Sequence, residues 1–431
     1  MPTEVKKTAS SPVQSMHGVG VVCGLAAGAW LGGAEVPAKL ASTTISPIAI
    51  SLCMVAGVFV EQWTIPSLLK GSKYVFADVR ENRHLIVWGI LAGALWAIAN
   101  TLTVFAIRDV GLAIAFPLWN TNCLVGIFWG WLLFNELRGA NIRNWLKVLG
   151  GTLAILIAAL MLAYSSMHGS LIVPAHARQG ILAALCASLM WGTMYVPYRK
   201  AYLSGMNPLS FVTVFTVGEL VTMLLLAVSL RGGIHPLVAE LRMAHSAVFW
   251  LFLGGFCWVI GDLFQHYSTK YIGIGRAIPL SNTNQLWGLV WGALVFGELA
   301  STDAMHHVIV VAGSLLMLLG ALGISTSAAS SAEHASTDRA ITRECDRYSL
   351  DHARVFKAQT GTDTKDTPGI HRGWWDYAII LTACCIFVAL ARGASRPTVP
   401  MNMAWADGLL AILLLTFLGG GYWLWKKTRF S

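Results

Sequence analysis

FPLWNTNCLVGIFWGWLLFNEL (residues 116–137) is apolar enough to lie in lipid, yet a proline and two asparagines stand near its head. The chain writes it again as IPLSNTNQLWGLVWGALVFGEL (residues 278–299), 162 positions later; from Pro117/Pro279 to Leu137/Leu299, 13 of 21 aligned pairs are identical. The register extends upstream, where Trp96 aligns with Trp258, Ile98 with Ile260 and Gly111 with Gly273. With small gaps, GGAEVPAK is answered by GTMYVPYRK and SPIAIS by NPLSFV, so the repeated unit holds about 160 residues.

Composition sets the medium. The chain has 431 residues, 56% of them hydrophobic and 12% charged, with 18 Trp and 42 Gly. Soluble domains carry about 25% charged residues. Ten apolar stretches long enough to cross a bilayer as helices lie between residues 18 and 325, and two more at roughly 374–391 and 405–425. The expected fold is an all-α membrane protein. Residues 1–15 are polar, and no cleavable signal peptide is evident. The eight cysteines lie mostly in apolar segments without metal-ligand spacing, which favours reduced packing residues. The net charge of +9 is spread over loops without a basic aromatic patch, so it reads as the positive-inside rule and not as nucleic-acid binding. With the N-terminus in the cytoplasm, inside loops of the ten-span body carry eleven basic residues and outside loops five. That orientation puts both termini inside; the expected location is the plasma (inner) membrane.

Five spans per unit is an odd number, so the second copy enters the membrane upside down. Inverted repeats are typical of secondary transporters, whose sites form where the repeats meet near the bilayer midplane. The bland alternative is a duplicated bundle without transport. The expected layout is a cytoplasmic tail (1–15), a first five-helix repeat (16–164), a second (165–325), a polar cytoplasmic linker (326–373), and two additional spans with a basic tail (374–431). The linker is dense in Ser, Thr and charge, which predicts mostly disordered chain.

Ten spans as five plus five, LAGALWAIAN followed by PLWNTN and VGIFWGWLLFNEL, and the echo ending LVFGEL resemble the drug/metabolite transporter superfamily. Within it the chain is most similar to the glucose/ribose uptake porters and the sugar and rhamnose permeases. The resemblance covers roughly residues 18–325. Asn135-Glu136 stands where the pattern usually has Gly-Glu. The resemblance implies a secondary active transporter for a neutral monosaccharide, with proton-coupled uptake and no cofactor. A permease or exporter for an amino acid, ureide or nucleotide sugar stays open, as do a membrane-embedded enzyme and a non-transporting sensor. No nucleotide-binding loop, metal motif or nucleophile elbow supports an enzyme. Expected partners are the sugar, protons and the lipid bilayer; homo-oligomerisation stays open.

Candidate residues follow from the repeated stretch. Pro117 and Pro279 free the carbonyls of Ala113 and Gly275 and kink their helices. Asn122, Gly126 and Trp129 share one helical face, as do Asn284, Gly288 and Trp291. Amide edges and indole faces suit a pyranose, although Asn and Gly are equally normal glue between membrane helices. Asn122 and Asn284 are expected across one cavity, on either side of an axis lying in the membrane plane. Asn120 and Asn282 complete the amide set, and Trp96 and Trp258 the aromatic one. Glu136 and Glu298 end their helices and read as interfacial anchors, as do Glu35 and Glu61. Glu219 and Asp262 lie deeper, and an intramembrane acid is a functional candidate by default. Asp262 has Gln265 and His266 on its face and Asn100 as repeat mate. It either carries the coupling proton or merely locks its helix through His266.

Overall fold

The computed structural model describes residues 12–40, 45–110, 112–138, 140–165, 177–297, 304–361, 372–395 and 399–431, and no strand occurs among them. Glu298 lies outside the described residues. The first repeat comprises α1 (Pro12–Leu40), α2 (Pro47–Leu69), the amphipathic α3 (Ser72–Glu81), α4 (Ile86–Val110), α5 (Leu112–Trp119), α6 (Asn122–Phe134) and α7 (Ile142–Ser165). The second comprises α8 (Ala177–Leu203), α9 (Pro208–Leu230), α10 (Ile234–Met243), α11 (His245–Ile272), α12 (Ile274–Ser281), α13 (Asn284–Leu294) and α14 (Ala304–Ser325). Then come α15 (Ser331–Tyr348), α16 (His352–Gln359), α17 (Trp374–Gly393) and α18 (Met403–Thr428).

Ten of these helices are long and apolar enough to cross a membrane. The twelve stretches of the sequence reduce to ten because α5–α6 and α12–α13 are broken spans. Local signals set the starts: Ser46 accepts from Ala49 N and Asn207 from Leu209 N, each followed by a proline at the first helical position. The hydroxyl or amide satisfies an orphan amide, and the proline has no amide hydrogen to satisfy.

The halves interlock. α1 packs along α11 and, by repetition, α8 along α4; α2 crosses α11 as α9 crosses α4; α7 pairs with α14. Two glycine pairs permit the crossings. A Cβ on Gly57 would lie 2.1 Å from the Phe252 carbonyl oxygen and one on Gly255 1.9 Å from that of Met54. Their counterparts Gly218 and Gly93 would meet the Ile90 and Phe215 oxygens at 2.3 and 2.0 Å. Small residues let membrane helices gain van der Waals contact at backbone distance. Repeat mates also touch each other: Trp96 and Trp258 meet edge to face at 5.0 Å, and Asn282 Nδ2 donates to the Asn120 carbonyl at 3.0 Å. A residue can contact its own mate only close to the axis that relates the halves, so both pairs mark that axis.

The segment after α14 departs from the expected disordered linker. α15 starts at an N-cap, Ser330, whose hydroxyl accepts from Glu333 N, and α16 at Asp351, which accepts from Ala353 and Arg354. Ile341, Cys345 and Val355 form a small apolar cluster with Leu203 at the end of α8. Composition misled because the charges have partners on the body. Arg276 binds Glu333 through two parallel hydrogen bonds (2.7 and 3.0 Å), Lys200 binds Glu344 (3.0 Å), Arg354 pairs with Glu81, and His84 stacks on Tyr348 (3.8 Å). α17 leans on α2 and α11 through Phe387 against Phe252 and Phe256, and α18 on α1 through Phe417 against Trp30. The chain ends on the same face as α15, where Asn207 and Tyr267 donate to the Phe430 carbonyl.

Candidate functional site

The two broken spans build the joint between the halves. Each proline sits inside its short helix, and the break comes three residues later. There Thr121 N and Thr283 N bond carbonyls three residues back, and the two threonine hydroxyls return to the Leu118 and Leu280 carbonyls at 2.7 Å. An amide lost to proline plus hydroxyls that take over backbone carbonyls ends a helix without leaving groups bare. At this break Asn282 Nδ2 also donates to Asn122 Oδ1 at 3.1 Å. Asn120, through its carbonyl, and Asn122, through its side chain, thus both meet Asn282. The Asn284 side-chain oxygen is buried without a partner among the described residues.

Trp129 and Trp291 do not share a cluster. Trp129 Nε1 donates to Thr193 on α8 at 3.0 Å. Trp291 packs among α1, α11 and α18, with its indole nitrogen unpartnered. Each rests near the first helix of the opposite repeat. Aromatic contact at the axis comes instead from Trp96, fully buried, with Trp258 on one side and Trp191 on the other (5.4 Å, 82°). One turn along α4 from Trp96 stands Asn100, whose amide nitrogen is buried without a partner among the described residues, and one turn along α11 from Trp258 stands Asp262.

Asp262 is enclosed. Its Oδ2 accepts from His266 Nε2 at 3.0 Å and from Gln62 Nε2 at 3.3 Å. His266 lies flat against Tyr198 (4.1 Å, 9°), and its Nδ1 is bonded to the Tyr202 hydroxyl. In the tautomer whose Nε2–H donates to the carboxylate, His266 Nδ1 accepts a hydrogen bond from the Tyr202 hydroxyl, which gives a continuous row of donors and acceptors from Tyr202 to Asp262. Glu219 on α9 is fully buried, and among the described residues neither its carboxyl oxygens nor the amide atoms of Gln265 have a hydrogen-bond partner. Glu61, read from the sequence as interfacial, is 1% exposed beside Gln62, because α2 is clamped against α11 at Gly57. Glu35 is exposed.

Glu136 is an anchor of a particular kind. Its carboxylate accepts from Ile274 N (2.9 Å) and Gly275 N (2.8 Å) at the start of α12, with Arg199 Nε at 3.5 Å. The end of one broken span thus caps the start of the other, where a helix N-terminus favours negative charge.

Gln62, Trp191, Tyr198 and Tyr202 were not among the sequence candidates. Gln62 was visible as the polar pair Glu61-Gln62 inside an apolar run; the tyrosines carried no signal separable from packing.

The first half matches the model of a family of sugar transport proteins over residues 36–165, and the second that of the EamA-like transporter family over residues 178–326. Among curated proteins, the glucose uptake protein GlcU of Staphylococcus xylosus is 21% identical over 246 residues, 56% of this chain and 78% of its own. A Streptococcus pyogenes (serotype M6) protein named for sugar uptake is 26% identical over 254 residues, covering 58% and 82%. One from Lactobacillus johnsonii, also named for sugar uptake, is 37% identical over 86 residues, covering 19% and 29%. The likeness points to transporters and not to enzymes.

Proposed function

We propose that this multi-pass membrane protein, similar in both halves to the drug/metabolite transporters, takes up a neutral monosaccharide by proton-coupled secondary transport. The observation that carries this reading is the set of unpartnered polar atoms beside crossed indole rings where the halves meet. Asn100 Nδ2, Trp96 Nε1, both Gln265 amide atoms and both Glu219 oxygens are buried without a hydrogen bond among the described residues. A buried polar group without a partner costs about 1–3 kcal/mol. Hydroxyls would supply those partners while the C–H faces of a sugar rest on indole. The basic groups nearest the core are engaged elsewhere: Arg199 donates to the Thr269 and Lys270 carbonyls, and Arg276 holds Glu333. That arrangement favours an uncharged substrate over an anion. The relatives named for glucose and sugar uptake support the same substrate class.

Coupling is assigned to Asp262 with His266, and Glu219 is the second acid within electrostatic reach. Holding an ionised carboxylate at the centre of a span costs at least about 2.5–3.5 kcal/mol. A proton arriving along Tyr202 and His266 would relieve that cost, and its departure would restore it. The termini, α15 and α16 are taken as cytoplasmic, which makes the Tyr202 end the inner end of the route.

The test is uptake of labelled glucose, ribose and rhamnose into proteoliposomes with and without an inward proton gradient. Accumulation of at least one sugar, abolished by a protonophore, is the expected outcome. Equal, non-accumulating flux with and without the gradient removes the coupling. No flux of any sugar, alongside flux of an amino acid or nucleotide sugar, removes the substrate class.

A further inference from the structure

A cleft of about 710 Å³ opens between the end of α6 and the flank of α15, lined by Asn135, Arg138, Ser336, Arg339, Thr342 and Arg343. It lies outside the joint described above and is independent of the sugar reading. Ser336, Arg339 and Arg343 recur at i, i+3 and i+7 along α15, so they form one stripe. Arg339 and Arg343 each donate Nε to the carbonyl four residues back, at 3.2 and 3.4 Å, which leaves their terminal nitrogens without a hydrogen-bond partner among the described residues. Arg138 enters from the opposite wall, its guanidinium held over the Trp131 ring at 5.1 Å. Among the described residues no carboxylate forms an ion pair with any of the three, whereas Arg276, Lys200 and Arg354 nearby all have acidic partners. Three guanidinium groups gathered in one cleft without an acid repel one another, and what relieves that repulsion is an anion.

We propose that this cleft binds a phosphate-bearing anion, and that the anion is the headgroup of an acidic membrane lipid. Guanidinium forks match phosphate oxygens through paired hydrogen bonds. The Ser336 hydroxyl supplies a further donor. The lipid source follows from position: Trp131, Leu132 and Leu133, immediately before the cleft on α6, are exposed on a spanning helix and therefore face acyl chains. Basic pockets at the cytoplasmic ends of spans attract acidic lipids. Because Arg138 belongs to the transporter body and Arg339 and Arg343 to α15, the bound headgroup ties the appended helix to the body.

The full-length protein, reconstituted in nanodiscs and released into the gas phase, is assayed for retained phosphatidylglycerol against phosphatidylcholine. A parallel arm measures the shift of its unfolding midpoint with inorganic phosphate. R339Q/R343Q changes only exposed side chains and keeps the fold; R138Q adds the opposite wall, and Arg242→Gln, at the other end of the molecule, is the control. The expected result is selective retention of phosphatidylglycerol, reduced roughly tenfold in R339Q/R343Q, the factor for losing about one charge-assisted contact, and unchanged in the control. Stabilisation by phosphate that R339Q/R343Q abolishes, without lipid selectivity, keeps the phosphate chemistry and overturns the lipid source. Equal retention in wild type and R339Q/R343Q, with no phosphate effect, overturns the site.

Discussion

α4 and α11 hold equivalent places in the two halves, and they part in their ionisable chemistry. Both carry a tryptophan that meets its mate at the axis, a glycine one turn before it that touches a crossing helix, and a polar residue one turn after it. In α4 that residue is Asn100, followed by Thr103, whose hydroxyl returns to the Asn100 carbonyl at 2.7 Å. In α11 it is Asp262, followed by Gln265 and by His266, which bonds the carboxylate. The scaffold is symmetric because both halves must make the same crossings; the ionisable chemistry sits on one side only. A strictly symmetric pair of acids would place two like charges about one axis, and such pairs raise each other's cost. At this pair of positions one half carries an acid and the other an amide, so the two mates do not add a repulsion of their own.

The largest expected effect tests the symmetry. Gly255→Ala and Gly93→Ala each drive a methyl group into a carbonyl oxygen of the crossing helix, at 1.9 and 2.0 Å. Both should lower the unfolding midpoint by comparable amounts, on the order of 1–3 kcal/mol or more, with Gly150→Ala neutral because nothing lies within 4 Å. A large loss in one half and none in the other would break the structural equivalence.

The next effect tests the asymmetry. Asp262→Asn makes the second half resemble the first, and uphill sugar accumulation should vanish while counterflow exchange persists. If accumulation survives intact, the Asp262–His266 pair only locks its helix, and Glu219→Gln becomes the variant that must lose it.

A smaller effect concerns the aromatic pair. Trp96→Ala should weaken apparent sugar affinity about tenfold, in line with about 1–3 kcal/mol for a stacked, buried aromatic, and Trp129→Ala distinctly less, since its indole already serves Thr193. Equal effects on half-saturation would return the site to the face shared by Asn122 and Trp129.

The smallest is a second asymmetry. α15 docks on Arg276, whose mate in the first half is Ile114. Burial pushes the Glu333 carboxyl up, but its hydrogen bonds and charge pairing with Arg276 outweigh burial and hold it below its ordinary value of 4.5. A depressed carboxyl stabilises the docked state above that value and loses the contribution as pH falls through its folded value. Protease cleavage within residues 331–348 should therefore rise modestly below about pH 4.5 in wild type, and Glu333→Gln should be cleaved more than wild type at neutral pH.

The membrane medium, the five-plus-five duplication and the depth of Glu219 and Asp262 were legible in the sequence. Each rests on what a single helix needs: enough apolar length, a cap, and a register repeated 162 positions on. Asp262 with His266 was legible for the same reason, since i and i+4 always face together. Partners contributed by other helices were not. That Gln62 and Tyr202 converge on this pair, that Trp96 meets its own mate, and that Asn282 takes Asn122 follow from crossings between segments up to 200 residues apart, which no local period records. The region after residue 326 shows the limit most plainly. Its composition reads as solvated chain because Arg276, Lys200 and Glu81, which neutralise its charges, lie elsewhere in the sequence and reach it only once the bundle has formed.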